Sequence, residues 1–226
     1  GSYTVTFFLP MEGPLSFATL NNHQKVEDFF KEQFSDALPL ISDLKSSFFS
    51  YPTCRMVTIK AYPWNYENKI LLVGDAAHAI VPFFGQGMNC GFEDCSFLAE
   101  MIDQEKGFGS DLFSRFCKLR KSNTDAIADM AVANFTEMRD KVGNPRFLLE
   151  KEVEKIIQSK FPQEYISRYT LVSFSRMPYQ LANHVGTVQD KLLTELCEGI
   201  NSAQEVDLDK AEKLIRDLKE GAELRP

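Results

Sequence analysis

Residues 71–95 read LLVGDAAHAIVPFFGQGMNCGFEDC, and no other stretch restricts the fold as strongly. An apolar run stops at Gly74-Asp75. Two adjacent phenylalanines and two near-adjacent glycines follow, and then apolar residues recur at helical spacing. This is the pattern of a strand, a glycine-rich loop and a helix. In α/β sheets, ligands sit beyond the carboxyl ends of strands. Asp75 at such an end accepts hydrogen bonds either from sugar-like hydroxyls or from the backbone of its own turn. For an isolated Gly-Asp pair the turn-capping use is the commoner one.

Gly85, Gly87 and Gly91 imitate the spacing of a dinucleotide fingerprint. They do not directly follow a strand, and no acidic residue stands at the required distance in a second strand, which excludes a Rossmann phosphate loop. The helix start keeps its physics all the same. Its first N–H groups are unpaired and carry the positive end of the dipole, so the position favours a group that develops negative charge. Glycines at 85 and 87 let a flat ligand approach the backbone. His78 reads as a structural residue of the loop rather than a base, since a base needs its geometry first. Phe83 and Phe84 cannot both face one core, so one of them faces the site.

The formal charge of −7 argues against a nucleic-acid or anionic-membrane surface. Five cysteines, with no C-x-x-C pair, argue against a disulfide framework or a zinc site, and imply a reducing compartment. The three histidines are too scattered for a metal triad, and no metal is expected. Nineteen phenylalanines point to aromatic walls in a core or pocket. No apolar run approaches the ~18 residues of a spanning helix, and no signal peptide is visible, so the chain reads as soluble with no membrane segment. It opens directly on a strand-like YTVTFFLP, as the later part of a longer protein would.

The patterning predicts strands over 3–9 and 15–20, joined by the Glu12-Gly13-Pro14 turn. A helix over 25–34 has Val26, Phe29, Phe30 and Phe34 on one face, and a short helix over 37–44 is broken near Pro39. Strands follow over 55–61 and over 69–73, the latter with the composition of a strand buried on both faces. The helix over 88–103 turns Met88, Phe92, Cys95, Leu98 or Ala99, and Ile102 inward and Glu93, Asp94 and Glu100 outward. Helices over 111–119, 123–141 (started by a capping box at Ser122 and Asp125), 147–161, 178–196 and 207–224 complete the chain. The fold class is mixed α/β (α+β), sheet-plus-helix first and helical second.

GDAAHAIVPFFGQGMN at 74–89 resembles the second flavin-contact motif of the aromatic-ring hydroxylases, the single-component FAD- and NAD(P)H-dependent monooxygenases. GFEDC at 91–95, ANFTEMRDKV at 133–142 and RYTLVSFSRMPY at 168–179 extend the resemblance to the branch that hydroxylates L-kynurenine, its fungal members more than its animal ones. The resemblance runs from near residue 3 to about residue 180. It implies FAD as cofactor and NADPH as co-substrate, in tryptophan catabolism and pyridine nucleotide biosynthesis. Gly74, Asp75, Pro82, Gly85, Gly87, Met88 and Asn89 would contact FAD: Asp75 through ribityl or ribose hydroxyls, the loop residues through backbone groups at the isoalloxazine ring. Asn134 and Tyr169 would hold the substrate carboxylate. Glu137 and Met138 share the helix face of Asn134, and Phe83, Phe84 and Gln86 would line the pocket. No side chain is assigned as acid, base or nucleophile.

The family's first motif, G-x-G-x-x-G after a strand, is absent, as are its middle Asp-Gly motif and its substrate-binding arginine. The chain therefore reads as the C-terminal half of such an enzyme, with the N-terminal FAD-binding half a separate or cleaved polypeptide. On that reading, residues 1–62 are the later part of the substrate-domain sheet. Residues 63–105 are the FAD-contacting strand, loop and helix, and 106–226 are a helical region completing the pocket. The parent enzyme would lie on the cytosolic face of the mitochondrial outer membrane. A hydroxylase of another aromatic acid and a catalytically silent, partner-binding fragment are the alternatives.

Overall fold

Phenylalanine organises the first of two units, Gly1–Met56 and Val57–Pro226, in a computed structural model that describes residues 5–221. Helix α1 (His23–Gln33) starts at Asn22, whose side chain accepts from the Lys25 N–H at 3.0 Å. Val26 and Phe30, one turn apart, are buried with Leu20. The ring of Phe7 lies 5.7 to 6.4 Å from those of Phe17, Phe29, Phe30, Phe34 and Phe48, mostly edge to face or tilted. Leu38–Leu40 form a 3₁₀ turn around Pro39, and α2 (Leu44–Ser50) follows where the sequence pattern gave no signal.

The strand expected over 3–9 is not formed over 5–9; residues 3 and 4 lie outside the described residues. Residues 15–20 bend and turn instead of pairing as a strand, held by Phe17 N–H to Pro10 O and Ala18 N–H to Met11 O. β-type composition describes a half-buried surface, and burial on the phenylalanine cluster satisfies it without a ladder.

In the second unit the expected sheet shrinks, among the described residues, to one hairpin, β1 (Asn65–Tyr66) against β2 (Ile70–Leu71). The run over 69–73 is not covered on both faces: Ile70 and Leu72 are 56% and 42% exposed. Over 57–61 the backbone is extended and pinned by two bonds, Ile59 N–H to Ala79 O (2.9 Å) and Ala61 N–H to Ala77 O (3.3 Å). These tie it to the loop after β2 without making a strand.

Helices make up most of the rest. Gly74 leads into the single turn α3 (Asp75–His78), and α4 spans Gly87–Glu105. Its orientation differs from the sequence expectation. Cys90 and Asp94 are buried, whereas Met88, Phe92, Cys95 and Ala99 are exposed. Helix α5 (Leu112–Thr136) is continuous, where the sequence suggested a break before 123. Phe116, Cys117, Arg120, Thr124, Ile127 and Ala131 form one buried stripe straight through that point, so packing overrides the cap signal at Ser122. Five residues of π-helix, Glu137–Lys141, extend α5.

Asn144 caps α6 (Pro145–Lys160), and Ser167 caps the short α7 (Arg168–Phe174). Helix α8 (Tyr179–Leu196) packs on α5 and α7, and α9 (Leu208–Gly221) closes a core of Val153, Ile157, Leu192, Leu193, Leu196, Ala211 and Ile215. Arg168 crosses α8 at Gly186, where a Cβ would fall 1.8 Å from its Nε, and pairs with Asp190 at 2.5 Å. Among the described residues no helix is long and apolar enough to cross a membrane.

Candidate functional site

The motif loop is built from Gly74 outward. Gly74 has φ 62° and ψ −141°, a region open to glycine and strained for other residues. Its carbonyl accepts from the Ala77 and His78 N–H groups at 2.8 and 2.9 Å, closing a tight turn. Asp75 stands exposed on this turn, while Ala77 and His78 are buried below it.

One carboxylate holds the turn from beneath. Asp94 Oδ2 lies 2.5 Å from His78 Nε2 and accepts from the Gly74 N–H at 3.3 Å. Asp94 Oδ1 accepts from Arg120 Nε of α5 at 2.7 Å. Arg120 also reaches the Cys90 carbonyl (3.4 Å) and Glu93 (2.9 Å). His78, Asp94 and Arg120 are each no more than 2% exposed. Burial alone would raise the Asp94 carboxyl, but the hydrogen bonds from His78 and Arg120 outweigh it and hold the group below the usual carboxylate range. Burial pushes the Cys90 thiol up to about 12 against the opposing pull of Arg120. Candidate metal donors of His78, Cys90 and Asp94 lie within 4.8 Å of one another. Both carboxylate oxygens are engaged, by Gly74 and His78 at one and by Arg120 at the other, so in this structure the cluster is a buried ion-pair network.

The second half of the loop turns tightly. Pro82–Phe84 form a 3₁₀ turn that ends at Gly85, which is left-handed at φ 69°. The first backbone bond of α4 runs from Cys90 N–H to Gln86 O, so the N–H groups of Gly87, Met88 and Asn89 precede the helical ladder. A Cβ on Gly85 would meet nothing within 4 Å, so the backbone there is open to approach. An exposed Asp that can accept from hydroxyls and a helix start that can receive negative charge suit a sugar-linked flat cofactor whose ring gains charge on reduction.

On the other side, Asn134 of α5 donates its side-chain amide to the Phe83 carbonyl at 2.6 Å. The two phenylalanines diverge. Phe83 stacks on Phe135 with ring centres 4.5 Å apart, and Phe84 lies 6.0 Å from Tyr169 of α7. A cavity of about 110 Å³ opens among Phe84, Asn134, Glu137 and Tyr169. Met138, one residue further into the π-helical turn, is 53% exposed. Gln86 is buried beneath the loop, its Oε1 accepting from Tyr179 (3.3 Å) and Asn89 (2.9 Å). Pro82, Met88 and Asn89 are exposed along the loop and helix start.

A family described as FAD binding domain matches residues 15–108. The chain is 56% identical over 216 residues to the kynurenine 3-monooxygenase of Myxococcus xanthus, covering 96% of this chain and 46% of that protein. It is 46% identical to the enzyme of the same name from Dictyostelium discoideum, over 96% of this chain and 50% of the relative. For the one from Legionella pneumophila strain Lens the figures are 43%, 95% and 48%.

Over nearly all of its length the chain is similar to kynurenine 3-monooxygenases. It spans about half the length of the curated relatives it matches. The structure joins Asn134 to the loop over 82–89 through the bond to the Phe83 carbonyl, and Asp75 stands on the turn that precedes this loop. Sequence reasoning passed over Asp94 and Arg120. Their one signal was an acidic residue a single position off an apolar helical stripe, which reads as solvent-facing until its buried partner 26 residues on is known.

Gly74→Ala tests the turn by itself. No atom lies within 4 Å of the added Cβ, so only backbone strain opposes it. Stability is expected to fall by about 1–3 kcal/mol, read as a lower denaturant midpoint at unchanged slope.

Proposed function

We propose that this chain supplies the flavin-facing loop and the substrate pocket of an FAD- and NADPH-dependent monooxygenase that converts L-kynurenine to 3-hydroxykynurenine. The observation that carries the reading is the direct bond between Asn134 and the Phe83 carbonyl. It fixes a residue of the cavity to the same loop that offers Asp75, Gly85 and the start of α4. In this reading Gly74 and Asp75 hold the sugar-like hydroxyls of FAD. Pro82, Gly85, Gly87, Met88 and Asn89 line its ring, and the helix start stabilises charge there. FAD, when bound, supplies the reducing and oxygen-activating chemistry.

The chain's own residues bind, orient and exclude water. Asn134 and Tyr169 hold the amino-acid carboxylate through hydrogen-bond donors, and Phe83 and Phe84 wall the aromatic ring. Glu137 and Met138 continue the Asn134 side of the pocket. Gln86 acts from below, holding Asn89 and Tyr179 in place.

The reading assigns residues 63–105 to the flavin contact and 106–226 to the helical region completing the pocket. The N-terminal FAD-binding half would be a separate or cleaved chain. What supports that partner is the exposed stripe of Met88, Phe92, Cys95 and Ala99 on α4, an apolar face adjoining the cofactor loop. Placement of the complete enzyme on the cytosolic face of the outer mitochondrial membrane belongs to the same reading and rests on the resemblance alone.

Two substitutions test the proposal in the complete, FAD-loaded protein. Asn134→Ala is expected to raise the kynurenine Kd roughly 10-fold to 100-fold, the worth of a hydrogen bond to a charged group. Its FAD content should fall less than its kynurenine affinity. Asp75→Ala is expected to do the reverse, lowering FAD retention first. Titration with kynurenine and flavin absorbance per chain read the two outcomes. Equal loss of both ligands in both variants would sink the assignment.

A further inference from the structure

The Asp94 carboxylate collects three partners from two elements. From the motif turn it takes the Gly74 N–H and meets the His78 ring, both at Oδ2; from α5 it takes Arg120 Nε at Oδ1. Gly74 and His78 are the two ends of the turn that carries Asp75, so a single oxygen holds both ends. The same Arg120 reaches the Cys90 carbonyl in the first turns of α4, which ties the helix start to α5 as well.

We propose that Asp94 is the positioning residue of the cofactor loop: by gripping Gly74 and His78 together it sets the direction in which Asp75 is presented. The proposal rests on the reading that Asp75 holds FAD. Asp94 touches neither cofactor nor substrate in it and acts through the turn alone.

The residue type follows from the geometry. Two donors converge on one oxygen and a third on the other, and only a carboxylate has two full acceptor oxygens. An amide at this position offers one. Glutamate would add a methylene in a site with no exposed surface, where extra volume displaces neighbours. The positive charge of Arg120 keeps the carboxylate ionised despite its burial, and Glu93, 37% exposed, supplies that guanidinium with a second anion. The grip is therefore charged, and it comes from a helix packed against the loop.

A double-mutant cycle on FAD affinity tests this, with wild type, Asp75→Ala, Asp94→Asn and the double variant of the complete protein, read by quenching of flavin fluorescence. Asp94→Asn keeps the shape and removes one acceptor. It is expected to weaken FAD by about tenfold or more. Because Asp94 acts through Asp75, the double variant should bind within about twofold of Asp75→Ala alone. A general loss of structure would instead multiply the two effects, and multiplication overturns the proposal. So does wild-type FAD affinity in Asp94→Asn. If Asp94→Asn does not fold, Arg120→Lys, which keeps the buried charge and replaces the fixed guanidinium fork by one mobile ammonium, takes its place in the same cycle with the same expected non-additivity. Asp75→Ala at wild-type affinity would sink the cofactor reading itself and the proposal with it; loss at Asp75 with none at Asp94 would sink the proposal alone.

Discussion

Asp94→Ala is expected to cost the unit over 57–226 about 3–5 kcal/mol, the penalty for removing one partner of a buried ion pair. Arg120 is 2% exposed and would keep its charge with only the half-exposed Glu93 beside it. The Gly74 N–H and the His78 ring would also lose their shared acceptor. The loss sits near the lower end of the range because Glu93 remains. Urea unfolding should show a reduced midpoint, and an unchanged midpoint would mean that the network contributes nothing. Replacing Asp94 and Arg120 together by apolar residues of similar volume should recover much of the loss, because no buried charge is then left alone.

Acid gives the same result without a mutation. The Asp94 carboxyl is held below its ordinary value of 3.8. Its contribution is therefore complete above that value and disappears as pH falls through the lower folded value. The wild-type protein should lose stability below about pH 4 more steeply than Asp94→Asn.

Trp64→Ala is expected to cost about 3–5 kcal/mol, as large-to-small changes of a fully packed aromatic do. Trp64 is 2% exposed. It packs 5.2 Å from the His78 ring and 6.3 Å from Phe116, and its Nε1 donates to the Ala61 carbonyl at 2.7 Å. Its removal takes the wall from behind His78 and the donor from the extended stretch that is pinned to the motif loop. The expected result is a lower midpoint together with weaker FAD retention. Trp64→Phe should restore most of the packing and leave the Ala61 carbonyl short of a partner, at a smaller cost of about 1–3 kcal/mol.

The longer helices of this chain were legible from local signals, whereas the short α2, α3 and α7 were not. The helices expected over 147–161 and 178–196 form over Pro145–Lys160 and Tyr179–Leu196, within a residue or two. The glycine loop was legible too, since a left-handed Gly85 and a strained Gly74 are needs that only glycine meets. Strands were not. Alternation over 55–61 speaks of side-chain pattern, whereas a strand needs a neighbouring strand, and the two bonds from Ile59 and Ala61 go to the turn α3 and the residue that ends it.

The buried face of α4 was read one position off for a related reason. Hydropathy ranks Met88 and Phe92 above Asp94, and a carboxylate is buried only when a distant cation meets it. Arg120 meets this one through the fold, which no local pattern encodes. In the site, the cavity beside Phe84, Asn134 and Tyr169 was within reach of motif reading. The contacts that hold the motif loop, Arg120 to Asp94 and Tyr179 to Gln86, join residues far apart in sequence.

Helix α5 carries both Arg120 and Asn134, fourteen positions apart on an unbroken spiral. It acts as a ruler. At 1.5 Å per residue the two side chains are spaced by roughly 21 Å along the axis, close to four whole turns. One residue inserted between them would swing Asn134 by about 100° away from the Phe83 carbonyl while leaving Arg120 in place. Substitutions along the outer side of this segment are therefore cheap and changes in its length are not. Insertions and deletions would be confined to the stretches beyond its two ends.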